Sequence, residues 1–250
     1  MPIRFVFRSA ATLLGLAICL PLHFLWRAGG ARSPWPRRFL AWVGFVAGVR
    51  VQTEGRPLPS HVLFLANHSS WLDIMILAQT AGAAFVSKAE VKRWPAIGWL
   101  AGLNDTVFVE RSERRGVRGE ARALREALAS GRPVALFPEG TTEGGREVLP
   151  FRASLLAALF PPLPGVRVQP VAIDFGEAAH DIAWVGKEPA AANAKRVLSR
   201  RGTIPVRVRF LPPLDPAAFA DRKPLAVQAR LGILEALDGG DASEAARARL

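Results

Sequence analysis

The chain has 250 residues, half of them hydrophobic, with a net charge of +12 and a pI of about 11.4. That length buries a substantial core and suits one main domain plus an appendage. The positive balance favours nucleic acid, anionic lipid or acidic substrates. Nucleic acid is the least favoured of these, because the basic residues are mostly scattered arginines, with no zinc-type Cys/His spacing and no nucleic-acid motif. Cys19 is the single cysteine, which excludes an intrachain disulfide and a cysteine metal site.

Ala10 to Trp26 is strongly apolar, with Arg4 and Arg8 before it and Arg27 and Arg32 after it. A secretory signal peptide has this positive start and apolar centre, but no small-x-small cleavage site directly follows. A single membrane span fits by length, although Pro21 and His23 interrupt the run. The preferred reading is a monotopic helix pair. The run is its first helix, Arg37 to Val49 its second, and Gly29, Gly30, Pro34 and Pro36 the turn between. Trp26, Trp35 and Trp42 suit a headgroup boundary, and the arginines suit anionic phosphates. The plain alternative is that both helices simply pack on the domain that follows.

Downstream, short apolar runs predict strands at Val62 to Ala66, Ala84 to Val86, Thr106 to Val109, Val134 to Phe137, Val168 to Ile173 and Val206 to Phe210. Helix-like stretches run from Trp71 to Gln79 and from Val117 to Ser130. In the second, Val117, Ala121, Leu124 and Leu128 share a face and Gly131 ends the helix. Strands alternating with helices predict an α/β fold, a central mostly parallel or mixed sheet flanked by helices. The divisions are then 1–49 for the membrane-associating helices, 50–238 for the main domain and 239–250 for a polar, frayed or weakly helical tail.

His68 and Asp73 stand where the first of these strands gives way to a helix. A strand end holds a side chain rigidly, and an imidazole there can take a proton from an alcohol near neutral pH. A carboxylate in the next helix's first turn can fold back on the other ring nitrogen, fixing the tautomer and stabilising the imidazolium. No Ser or Cys nucleophile is needed if the substrate's own hydroxyl attacks. Alone, His-x4-Asp is a weak signal, and a capped helix with an incidental His is the bland reading. His23, His61 and His180 lack even this context.

Further blocks follow: Phe85-Val86-Ser87-Lys88-Ala89-Glu90-Val91, Val107-Phe108-Val109-Glu110-Arg111, Phe137-Pro138-Glu139-Gly140-Thr141-Thr142 and Val168-Gln169-Pro170-Val171-Ala172-Ile173. In this order and spacing the chain resembles the glycerolipid acyltransferase family from Phe64 to Ile173, and loosely to Leu214. The resemblance implies a membrane-associated enzyme on the cytoplasmic face of the cell membrane. It would move an acyl group from acyl-CoA or acyl-carrier protein to a lysolipid hydroxyl, with no metal or redox cofactor. His68 would be the base and Asp73 its partner. Backbone amides near Glu139, Gly140 and Thr141 would meet the oxyanion, Gly140 allowing close approach.

Arg111 is similar to the family's second-block arginine and is the first choice for an acceptor phosphate, with Lys88 and Arg152 second. Glu139 would bind glycerol hydroxyls or anchor its loop. The third block departs from the family's Phe-Pro-Glu-Gly-Thr-Arg, because Thr142 stands where the arginine is expected. The run from Gly140 to Ser154 resembles the branch of lyso-ornithine lipid acyltransferases, with Arg146 or Arg152 as replacement cations. The leading acceptor is 1-acyl-glycerol-3-phosphate, and lyso-ornithine lipid is its close rival. Two readings of other classes are a non-catalytic lipid-binding protein, against which the intact His68 and Asp73 argue, and a nucleic-acid-binding protein, against which the apolar N-terminus argues.

Overall fold

The structure, a computed structural model, describes residues 3–109, 116–142, 144 and 147–247. Arg111 and Arg146 lie outside the described residues. The strands are β1 (Val49–Glu54), β2 (Val62–Ala66), β3 (Ala84–Lys88), β4 (Val107–Val109), β5 (Val134–Leu136), β6 (Arg167–Asp174) and β7 (Ile204–Phe210). They form one seven-stranded sheet in the order β1-β7-β6-β2-β5-β3-β4. All pairings are parallel except β6 with β7, so the sheet is mixed.

The helices are α1 (Ile3–Ala28), α2 (Trp35–Ala47), α3 (Leu72–Ala81), α4 (Ala89–Lys92), α5 (Ile97–Leu103), α6 (Gly116–Ala129), α7 (Ala179–Ile182), α8 (Ala190–Ser199) and α9 (Arg222–Arg247). The last runs on through Gly239, where the sequence suggests a frayed or weakly helical tail. The Ala and Arg residues there are good helix formers and offset the two glycines.

One strand has no counterpart in the sequence reading. The second helix stops at Ala47 rather than Val49, and Gly48, at φ 104°, turns the chain into β1. This is an edge strand in which only Val49 is fully buried. Arg50, Gln52, Thr53 and Glu54 face solvent, so no apolar run marks it.

Strand β2 lies at the sheet's centre and is buried along its whole length. Its side chains alternate between the two faces. Val62, Phe64 and Ala66 pack with α3 (Leu72, Ile76, Leu77) and with Ile173 and Val208. Leu63 and Leu65 pack on the opposite side with Leu124 and Leu128 of α6 and Leu225 and Ala229 of α9. Each of these large side chains contributes roughly 1.5–3 kcal/mol by burial. The carboxyl end of β2 is therefore a fixed platform, clamped by layers above and below.

The two N-terminal helices differ in how they attach. Helix α2 packs closely on α3, since a Cβ on Gly44 would stand 3.3 Å from Met75 Cβ. Helix α1 lies outside α2. A Cβ on Gly15 would come within 2.3 Å of Trp42 Cδ1, and Trp42 Nε1 donates to Ala11 O at 2.9 Å. Arg8 of α1 donates to the Leu198 carbonyl in the last turn of α8 and to the Arg200 and Gly202 carbonyls just beyond it. Phe7, Leu13, Leu14, Ile18, Phe24 and Leu25 remain exposed. Helix α1 is long and apolar enough to cross a membrane, and only 6% of its apolar window is buried.

Candidate active site

The site begins at Asn67, one residue past β2. Its Nδ2 donates to Ile173 O at 2.9 Å, and its Oδ1 accepts from Ile173 N at 2.8 Å. The buried side chain thus adds one more rung between β2 and β6 after the backbone ladder has ended. His68 leaves this rung in a defined direction. Its ring stacks on Phe137 at 3.9 Å between centroids and 14° between planes.

Nδ1 of His68 lies 2.8 Å from Oδ2 of Asp73. That carboxylate is fully buried in the first turn of α3. The same Oδ2 accepts from the backbone N–H of Ser69 at 2.8 Å and of Ser70 at 2.9 Å. With two backbone N–H groups already donating to it, Oδ2 faces the ring as an acceptor, which assigns the hydrogen to Nδ1 of His68. Nε2 then carries the lone pair, and it makes no hydrogen bond among the described residues. Asp73 Oδ1 is buried without a hydrogen-bond partner in the same set. An imidazole in this state can accept a proton at Nε2 and hold it as imidazolium.

Glu139 braces the loop from the other side. Oε1 accepts from the backbone N–H of His68 at 2.7 Å, and Oε2 accepts from that of Leu149 at 2.9 Å. The side chain is buried, and burial pushes its pKa up to about 7 against the pull of the two N–H groups. Both oxygens are thus committed to backbone. The reach from Pro138 to the loop's far end is closed by Arg152 N donating to Pro138 O at 2.9 Å.

A model described as acyltransferase matches residues 48–174, which hold every group just described. This chain belongs to the acyltransferase family. The acyltransferase is 35% identical to the lyso-ornithine lipid O-acyltransferase of Rhodobacter capsulatus over 238 residues, covering 89% of this chain and 86% of that protein. It is 38% identical to the 1-acyl-sn-glycerol-3-phosphate acyltransferase of Neisseria meningitidis over 136 residues, covering 53% and 52%. The fold is that of the 1-acyl-sn-glycerophosphate (LPA) acyltransferase of Thermotoga maritima, with a TM-score of 0.63 over 96% of this chain and 98% of that one at 23% identity. The protein is an acyltransferase enzyme of lipid metabolism.

Around this centre the acyltransferase arranges its remaining candidates unevenly. Gly140 sits at φ 78°, and its N–H closes a turn onto Phe137 O at 3.2 Å. Thr141 is exposed, and its N–H makes no hydrogen bond among the described residues. Arg152 is exposed beside the Glu139 loop. Lys88 ends β3, on the same carboxyl edge of the sheet as His68; its side chain lies outside the described residues, as does Arg111. Thr142 points its hydroxyl at the Trp184 carbonyl, and Trp184 N–H donates to Ser69 O at 2.8 Å.

Sequence reasoning missed Asn67, the Phe137 stack and Trp184. Asn67 had a usable signal, a polar amide directly after a buried strand and before His68. Trp184 had none, since only folding brings it to Ser69.

Proposed function

We propose that the enzyme moves a fatty acyl group from acyl-CoA or acyl-carrier protein to the free hydroxyl of a lysolipid, with His68 as general base and Asp73 as its orienting partner. The observation that carries this reading is the 2.8 Å bond from Nδ1 to a buried carboxylate, which leaves Nε2 as the basic nitrogen. Nε2 takes the acceptor's hydroxyl proton as its oxygen attacks the thioester carbonyl. The tetrahedral intermediate collapses with cleavage of the carbon–sulfur bond, and the imidazolium returns the proton to the departing thiolate. Thr141 N–H, uncommitted among the described residues, is a donor available to the oxyanion on this loop. The scheme uses no metal or redox cofactor.

For the acceptor we place lyso-ornithine lipid first, reversing the order that the sequence motifs suggest. The relative that acts on it spans nearly the whole chain, whereas the phosphate-acceptor relative spans about half. The Thr142 hydroxyl, at the position of the expected arginine, is committed to Trp184 O. Lysophosphatidic acid remains the second reading, favoured by the higher identity within the shared half. Exposed α1 supports attachment to the membrane, with anionic lipids meeting its arginines at the cytoplasmic face.

The test is to purify the full chain in detergent, supply acyl-CoA or acyl-carrier protein with a panel of lysolipids, and identify products by mass spectrometry. Diacylated ornithine lipid as the main product supports the reading. Phosphatidic acid as the main product restores the second. No acyl transfer to any lysolipid removes both. Attachment has its own check. A chain beginning at Ser33 keeps α2 on α3 and is expected to leave the membrane fraction, whereas one beginning at Arg50 strips α3 and is expected to aggregate.

A further inference from the structure

We propose that the open cleft beside the catalytic loop, bounded by Gly144, Asp181, Val185, Arg196 and Arg200, recognises a zwitterionic headgroup bearing one carboxylate and one ammonium. The inference rests on the acyl-transfer reading above and names how that site selects its acceptor. Its first support is location. The inner wall is the Ala183–Val185 segment, and Trp184 at its centre is bonded to both Ser69 and Thr142. The cleft therefore starts within a few residues of His68. Arg200 also lines it, and its carbonyl accepts from Arg8 of α1.

The second support is charge. Among the described residues the cleft pairs its cations with carboxylates. Arg196 meets Glu188 at 2.7 Å and Arg200 meets Asp181 at 3.1 Å. Arg196 is spent, because Nε and Nη2 hold Glu188, Nη2 also holds Ala183 O, and Nη1 holds Asp181 O. Arg200 gives Nε to Asp181 and Nη1 to Arg201 O and Thr203 O, which leaves Nη2 without a hydrogen-bond partner among the described residues. Asp181 is more than half exposed.

A doubly charged phosphate entering here would meet the exposed Asp181 carboxylate beside one partly free guanidinium, with His180 also on the lining. A zwitterion can place its carboxylate on Arg200 Nη2 and its ammonium on Asp181, with no change in the cleft's net charge.

The third support is that this frame cannot drift relative to the base. Buried Asn193 accepts from Trp71 Nε1 at 3.0 Å, and donates to Ala183 O at 3.1 Å and Glu188 Oε2 at 2.8 Å. Trp71 stands three residues from His68. A headgroup held by Asp181 and Arg200 is thereby placed at a set distance from Nε2, as oriented acyl transfer requires.

The experiment compares lyso-ornithine lipid with lysophosphatidic acid on the full chain in detergent, for wild type, Asp181→Asn and Asp181→Lys. Asp181→Asn is expected to raise KM for lyso-ornithine lipid about tenfold with little change in kcat. Its kcat/KM for lysophosphatidic acid should hold or rise. Asp181→Lys is expected to move the ratio of the two kcat/KM values toward the phosphate acceptor by a further factor of about ten. Should the lysine disturb folding, seen as a lowered Tm, the Asn variant at this exposed carboxylate decides alone.

An unchanged ratio in folded variants, with wild type active on lyso-ornithine lipid, overturns the cleft and leaves the enzyme reading intact. Equal losses on both acceptors overturn it too. Wild type that acylates only lysophosphatidic acid overturns the cleft together with the acceptor assignment. Wild type that acylates neither overturns the enzyme reading as well.

Discussion

The loop around His68 and the neighbouring cleft both hold ionisable side chains, but by opposite means. In the loop, Asp73 and Glu139 are buried and answered by backbone N–H groups that cannot swing away. In the cleft, Asp181, Glu188, Arg196 and Arg200 answer one another through partly exposed side chains. Backbone donors cost no side-chain entropy and suffer little screening, so the loop's geometry is set before substrate arrives. Side-chain pairs near solvent are worth little alone and can exchange partners. The first arrangement suits a reaction common to every acceptor, and the second suits telling acceptors apart.

The sharpest way to break this comparison is at His68, the proposed base. His68→Ala is expected to lower kcat by about 10²–10⁴ on every acceptor, measured as turnover on protein with wild-type Tm. Asp73→Asn is a subtler case. The Ser69, Ser70 and Nδ1 donors converge on Oδ2, so an asparagine would set its amide oxygen there and keep the tautomer. The loss then comes from the missing negative charge beside the imidazolium. We expect it to be smaller than for His68→Ala, and a larger loss would show that the converging donors do not fix the orientation.

Removing the brace comes next. Glu139→Ala orphans the His68 and Leu149 N–H groups at a cost of about 2–4 kcal/mol, read by denaturant or thermal unfolding in detergent. Glu139→Gln sharpens the point with pH. The buried carboxyl titrates near 7, above its unfolded value near 4.5. The stability linked to its proton is therefore fully present below about 4.5 and lost as pH rises through about 7. Wild type should lose stability relative to Glu139→Gln between pH 5 and pH 8, by on the order of 3 kcal/mol at most. Parallel curves would mean that Glu139 is not held in its neutral form by burial.

Asn67→Ala tests the platform beneath the base. It leaves Ile173 N–H and C=O unanswered in a buried place, at about 1–3 kcal/mol. We expect kcat to fall with KM unchanged, because the strand end that aims His68 loosens. The smallest effect belongs to the cleft side. Thr142→Val deletes only the hydroxyl bond to Trp184 O and should change acceptor preference by less than about tenfold, with stability down by about 1 kcal/mol. Product ratios from mixed lysolipids measure it. A Thr142→Val enzyme that loses turnover on all acceptors would instead tie that bond to the catalytic loop.

Much of the architecture was legible along the chain because it is written in periodicity. Strand β2 shows as five successive apolar residues, and the α6 stripe shows as helical spacing. His68 and Asp73 were legible because five residues of loop and helix start bring both ring and carboxylate together locally. Edge strand β1 was not legible, since a half-exposed strand bearing Arg50 and Glu54 carries little apolar signal. Nor could spacing tell whether Glu139 faces substrate or backbone. That depends on Leu149 and His68 arriving from two other segments.

By itself the sequence determined the local pattern: a histidine within reach of a carboxylate, a glycine-bearing turn, an apolar N-terminal helix and an alternating α/β order. These follow from residue type and short-range geometry, which tertiary contacts do not alter. Tertiary structure alone decided which charges are answered and by what. Asn67 reaches Ile173, Trp184 reaches Ser69, and Arg196 and Arg200 meet their carboxylates. The first two join residues more than 100 positions apart, and the arginine pairs cross from one element to the next. A charge's partner is set by distance in space, and for such pairs only the folded chain fixes that distance.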